Sequence, residues 1–244
     1  MTINMLKTLK RLLVVATIAP AFALAGDLDR APLSTSDESL QSGAKLFVNY
    51  CMGCHSASLV RYNQLEDLGI TEDEVLDNLH FTGDRVGDLM KVNMRPEHAE
   101  KWFGTSAPDL SLITRQRAGH TTSGADWLYT YMRQFYRDPD QPNGWNNLLF
   151  ENVGMPHVLW ELQGDQVPVY DDDGNVVELE LVREGTMSPE EYDQAMADLT
   201  SFLHWTTEPV GERRRTIGIF VLLFLAGFSV LAYALKKNYW KDIH

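Results

Sequence analysis

Cys51-Met52-Gly53-Cys54-His55 contains the chain's only two cysteines, separated by two residues and followed directly by a histidine. Two thiols and an imidazole at this spacing suit one chemistry well. Each thiol can add across a vinyl group of a porphyrin to form a thioether, and the adjacent imidazole can ligate the iron. This is the C-x-x-C-H pattern of covalently attached c-type haem. Carried on a single helical turn, these groups let the backbone clasp one edge of the ring and still reach the metal. A bare C-x-x-C would equally suit a redox dithiol or half a zinc site. The histidine narrows the choice, and no second cysteine pair is present to complete a four-ligand zinc site.

Iron that serves electron transfer takes a second axial ligand, methionine or histidine, and nine methionines and seven histidines are available. Met1 and Met5 fall in an N-terminal segment expected to be removed, and Met52 lies within the attachment loop. Met132 and Met196 sit on helical apolar faces, where methionine fills core. Met94, Met155 and Met187 remain at loop positions. Met155 is favoured, because in Asn152-Val153-Gly154-Met155-Pro156 the glycine lets the backbone approach the ring and the proline stiffens the loop. Met94 is second. His157 competes from two residues on, although it also reads as a partly exposed loop histidine; bis-histidine ligation would lower the potential that methionine raises. Arg115 and Arg117 could pair bidentately with haem propionates, or form a solvated surface pair.

These groups need elements to hold them. Ser36 caps a helix with Asp37 and Glu38 in its first turn, and Leu40, Ala44, Phe47, Val48 and Cys51 follow at helical spacing, so the thiols ride at its C-terminal end. Thr71-Glu72-Asp73-Glu74 is a capping box opening a short helix through Leu79. From Phe81 to Ala107 no period is sustained, which predicts a long loop around the cofactor. Trp127, Leu128, Met132 and Phe135 or Tyr136 predict a helix closed by Asp138-Pro139. Val167–Tyr170 and Val176–Val182 read as strands of a hairpin turning at Asp173-Gly174. Ser188-Pro189-Glu190-Glu191 starts a helix that Glu208-Pro209 ends.

The termini set the compartment. Residues 1–25 read as a secretory signal: Lys7, Lys10 and Arg11, then an apolar run, then Ala23-Leu24-Ala25 as the cleavage site. Residues 26–211 form the exported body and residues 212–235 an anchor whose uncharged run, Ile217 to Leu235, is long enough to span a bilayer. Residues 236–244 form a cytoplasmic tail. Basic clusters flank the anchor evenly, so orientation follows from the signal and places the body outside. Net charge is −13 although both termini are basic, so the body is more acidic still. Such a field speeds docking of a basic partner and excludes nucleic acid as a natural one.

In order and spacing, Tyr50-Cys51-Met52-Gly53-Cys54-His55-Ser56, Met94-Arg95-Pro96, Pro108-Asp109-Leu110-Ser111, Arg115-Gln116-Arg117, Gly154-Met155-Pro156, Tyr170-Asp171-Asp172, Phe202-Leu203-His204-Trp205 and the C-terminal anchor resemble the cytochrome c1 family, the haem-c subunits of complex III. The resemblance covers essentially all of the mature sequence. It implies a mainly α, class I cytochrome c-like haem domain with long loops, a small β-hairpin and one C-terminal transmembrane helix. It also implies one covalent haem c on Cys51 and Cys54, axial ligands His55 and Met155, and Arg117 against a propionate. Implied partners are cytochrome b, a Rieske iron–sulfur protein, a c-type cytochrome acceptor and membrane lipid, in a dimeric complex at the bacterial inner membrane with the haem domain periplasmic. The loop from His80 to Met94 looks short beside mitochondrial members, which suggests a minimal prokaryotic complex. Trp127 stands where the family often has a tyrosine, so that tyrosine's role is not carried over. The rival readings are a membrane-tethered c-type shuttle or oxidase subunit, an exported thiol–disulfide oxidoreductase with free or disulfide-bonded cysteines, and a haem peroxidase or gas sensor with an open sixth site.

Overall fold

The computed structural model describes residues 28–174 and 176–242, so the expected signal lies outside the described residues. Helix α1 (Asp37–Leu46) starts where its cap predicts: the Ser36 side chain accepts from the Ser39 amide, and Asp37 and Glu38 flank the positive helix end. Beyond Leu46 the helix widens into a π-helical turn, Phe47–Cys51, so Cys51 closes it from a buried position. Widened turns of this kind recur at functional sites.

Strand β1 (Ala57–Arg61) and a 3-10 turn (Tyr62–Leu68) follow, then helix α2 (Glu72–Asn78), whose Thr71–Glu74 capping box forms in full. Strand β2 (Leu89–Met90) pairs antiparallel with β1. Helix α3 is Pro96–Phe103 and helix α4 Ile113–Gln116. Helix α5 (Gly124–Arg133) leads into strand β3 (Phe135–Arg137), which pairs antiparallel with β4 (Trp145–Asn147). After helix α6 (Trp160–Gln163), strands β5 (Gly164–Tyr170) and β6 (Val176–Glu184) form the expected hairpin, longer at its base than the sequence suggests.

The core lies between α1, α5 and helix α7 (Pro189–Thr207). At Gly43 any side chain would collide with the Asp198 carbonyl oxygen and Phe202 Cβ, so glycine sets how closely α1 meets α7. Phe47 packs on Phe202 at 5.8 Å between ring centroids. Both rings are fully buried, each contributing about 2–3 kcal/mol by leaving water. The Tyr192 hydroxyl donates to the Met132 carbonyl at 2.9 Å and ties α7 to α5.

Two expectations need correction. The stretch from Phe81 to Ala107 is not all loop, since it contains β2 and α3. Helix α3 has Pro96 at its first position and ends on Gly104 at φ 72°, the usual proline-start, glycine-stop pair. Only Ala99 within it is buried, so no apolar period announces it. The helix holding Trp127 stops at Arg133, and Phe135 and Tyr136 lie in a strand, where aromatic residues fit well.

Helix α7 ends at Thr207, and helix α8 (Gly211–Tyr239) follows at once. Its segment Arg213–Tyr239 is long and apolar enough to cross a membrane, and none of its apolar window is buried within the protein. A core helix would be covered by the rest of the chain, and this one is not. It continues past Leu235, the expected anchor end, to Tyr239.

Candidate cofactor site

Cys51 is buried, Cys54 is half-buried, and both are free thiols. Burial, aided by the neighbouring Cys54, pushes the Cys51 thiol up to about 12, and burial also raises Cys54. A thiol–disulfide oxidoreductase needs a thiolate held by a lowered pKa, the opposite of what this environment provides.

His55 is buried, and its Nδ1 lies 2.7 Å from the Pro108 carbonyl oxygen. A carbonyl only accepts, so Nδ1 carries the proton and Nε2 keeps its lone pair, the tautomer needed to ligate a metal. Burial lowers the imidazole pKa, against opposing effects of the Pro108 hydrogen bond and Asp109, which favours the neutral ring. Pro108 is itself fixed through its neighbours. Asp109 accepts from the Ser58 amide at 2.9 Å and from the Ser111 amide and hydroxyl at 2.9 and 2.5 Å, while the Leu110 amide donates to the Ser56 carbonyl. Pro108-Asp109-Leu110-Ser111 is thus stitched along the strand that follows the Cys-His turn. Burial pushes the Asp109 carboxyl up, but these hydrogen bonds outweigh it and hold it below the usual range.

Two adjoining cavities, of about 80 and 250 Å³, share Cys51, His55, Thr105, Pro108, Gly154 and Met155 as walls. Leu110, Ile113, Leu128, Met132, Leu199 and Leu203 make the larger one apolar. Met155 comes from a loop laced down by amide side chains. Asn143 Nδ2 donates to the Gly154 carbonyl at 3.1 Å, Asn146 Oδ1 accepts from the Asn152 amide at 2.8 Å, and Gln141 Nε2 donates to Asn152 Oδ1 at 2.9 Å. Asn152 adopts φ 58°, a conformation asparagine tolerates better than most side chains. Gly154 lines both cavities and also makes a second close approach. A Cβ there would lie 3.2 Å from the Phe103 carbonyl oxygen and from Thr105 Cγ2, so the glycine lets the loop approach the chain that follows α3.

The other expected ligands separate cleanly. Met94 lines a different cleft, with Lys91, Val92 and Asp109, and Met187 a recess beside Lys45 and Leu162; His55 lines neither. His157 is not a partly exposed loop residue but is 1% exposed. It stacks on Phe135 at 4.9 Å, meets Trp145 edge-on at 5.0 Å, and lines neither cavity. Burial drives its pKa down to about 4, so the ring is neutral near pH 7. Arg115 reaches Glu208 at 3.1 Å on the surface, whereas Arg117 lines the larger cavity with its guanidinium 4.3 Å from the Trp127 ring centre. Tyr131, which no motif singles out, also lines this cavity.

Among the described residues no three His, Cys, Asp or Glu side chains converge as a metal cage. One imidazole and one thioether suit an iron already held by four porphyrin nitrogens. The two thiols at one edge, the apolar walls and a guanidinium at the larger cavity fit a haem held covalently through its vinyl groups.

The model of the cytochrome C1 family matches residues 30–243. The chain is 45% identical to the cytochrome c1 of Allochromatium vinosum, across 96% of its own length and all of that protein. It is 48% identical, across 98% of its length and all of the relative, to a protein of Nitrosomonas europaea named ammonia monooxygenase gamma subunit. Identity to the mitochondrial cytochrome c1 heme protein of Kluyveromyces lactis is 27%, across 87% of this chain and 74% of that one.

Proposed function

The chain belongs to the cytochrome c1 family, electron-transfer subunits of the bc1 complex, and from that premise we propose that it accepts single electrons from a Rieske iron–sulfur protein and passes them to a c-type cytochrome. In this reading it works beside cytochrome b in a dimeric complex of the bacterial inner membrane. The body is periplasmic, and the relay contributes to proton-motive force. The observation that carries the reading is the joint placement of Cys51, His55 and Met155 on one apolar cavity, from sequence positions a hundred residues apart.

When bound, the haem supplies the one-electron couple. Cys51 and Cys54 would hold it through thioethers, so it cannot dissociate. His55 and Met155 would hold its iron. The Pro108 carbonyl holds the His55 tautomer, so no proton need leave the imidazole when the charge changes. The apolar walls exclude water, which keeps reorganisation small, and Arg117 would balance a propionate. Helix α8 would keep the body at the membrane surface.

The test is an optical spectrum of the solubilised membrane protein. Haem should survive acid–acetone extraction and give a c-type pyridine haemochrome. The ferric protein should show the near-infrared methionine-to-iron charge-transfer band, and Met155→Ala should abolish it. Absence of covalent haem would overturn the reading. The name of the Nitrosomonas relative favours a second reading, electron delivery to an oxygenase. Copurification decides between them: cytochrome b and a Rieske protein for the first, oxygenase subunits for the second.

A further inference from the structure

Tyr131 lies on α5, one turn after Trp127, and the two rings stack at 4.8 Å. Phe135 meets it edge-on at 5.0 Å. The ring is thus fixed on two sides, and the residue lines the larger cavity from a site only 8% exposed. A buried phenol needs a hydrogen-bond partner. The acceptor it finds is the Met155 thioether, with oxygen and sulfur 3.5 Å apart. A phenol ordinarily titrates at about 10, so at physiological pH the hydroxyl carries its proton and donates.

A thioether sulfur has two lone pairs. If one accepts from Tyr131, the other is left to face the cavity, and the sulfur has less electron density to give an electron-poor metal. A ferric iron suffers more from that loss than a ferrous one. Other features of the Met155 loop hold its backbone: Asn143 and Asn146 bind main-chain atoms, and Gly154 permits a close approach. Among the described residues, Tyr131 is the one with a hydrogen bond to the sulfur itself.

We propose that Tyr131 is a positioning residue for the redox site, donating to Met155 Sδ so as to orient the thioether and favour the reduced state. This rests on the reading that Met155 is an axial ligand, and the test keeps the two separable. Tyr131→Phe retains the ring stack and removes only the hydroxyl. In the full-length, haem-loaded protein, the midpoint potential should fall by an amount equivalent to about three- to tenfold in the one-electron equilibrium constant, tenfold being about 59 mV. The near-infrared band should persist at a shifted wavelength.

The same substitution in a Met155→His background tests the route. Without sulfur to receive the hydrogen bond, the shift should vanish, which identifies a coupling rather than a general change in polarity. A potential unmoved by Tyr131→Phe while the band is present overturns the proposal and leaves ligation by Met155 intact. An equal shift in both backgrounds also overturns it, because the hydroxyl then acts through the cavity and not through sulfur. A band missing from the unsubstituted protein removes the ligation reading and this proposal together.

Discussion

The wall of the cavity that carries His55 and the wall that carries Met155 are built by different means. The first joins a local turn to a distant brace. One helix runs into the Cys-His turn, while the Pro108 carbonyl comes from 53 residues on, its segment tied to the next strand by one main-chain bond and by the Asp109 and Ser111 side chains. The second is a loop without regular structure, held in place by asparagine and glutamine side chains and oriented at its tip by a tyrosine. The attachment turn itself is closed by main-chain bonds from Cys54 and His55 to the Cys51 carbonyl, so it leans less on any one side chain. A side-chain-built wall depends on a few residues, each removable, and can be tuned without disturbing the cysteine turn opposite it.

The strongest expected break is chemical. Met155→Ala should remove the near-infrared band and lower the potential while the pyridine haemochrome of the attached haem is unchanged. His55→Ala should instead leave little correctly ligated haem. Next comes Asn146→Ala. Asn146 is buried, accepts from the Asn147 and Asn152 amides and donates to Asp138, so truncation strands buried partners. A loss of about 3 kcal/mol is expected in chemical denaturation, with the near-infrared band weakened before the haemochrome changes.

Asp109→Asn tests the other wall through pH. The carboxyl's folded pKa lies below its unfolded value, so its contribution is present above the ordinary carboxylate range and is lost as pH falls through that range toward the folded value. Thermal unfolding followed from about pH 7 to 3 should show a flatter acid limb in the variant and a neutral-pH stability lower by about 1–2 kcal/mol. Gly154→Ala should cost about 1 kcal/mol, because the Phe103–Thr105 segment must shift by a few tenths of an ångström. Smallest is Arg115→Gln. The Arg115–Glu208 pair is exposed on the arginine side, so stability should change by less than about 0.5 kcal/mol and the potential should hold, whereas Arg117→Gln should move the potential.

Much of the His55 wall is legible in the chain. Cys51, Cys54 and His55 lie within one turn, the Ser36 cap and apolar spacing announce the helix that carries them, and the uncharged run from Ile217 announces an anchor. Contacts of short sequence range leave periodic and motif signals, and those signals are enough. Helix α3 escaped because a helix that buries one alanine has no apolar stripe to read. The Met155 wall is legible only as a set of rivals. Met155 and His157 stand two residues apart in one loop, and composition cannot tell which of them meets the cavity. The tertiary structure decides it: strands β3 and β4 bring Phe135 and Trp145 against the His157 ring and bury it, while Tyr131, from the helix before β3, meets the Met155 sulfur. These are contacts between segments distant in sequence, made by side chains whose directions are set only once the core has closed.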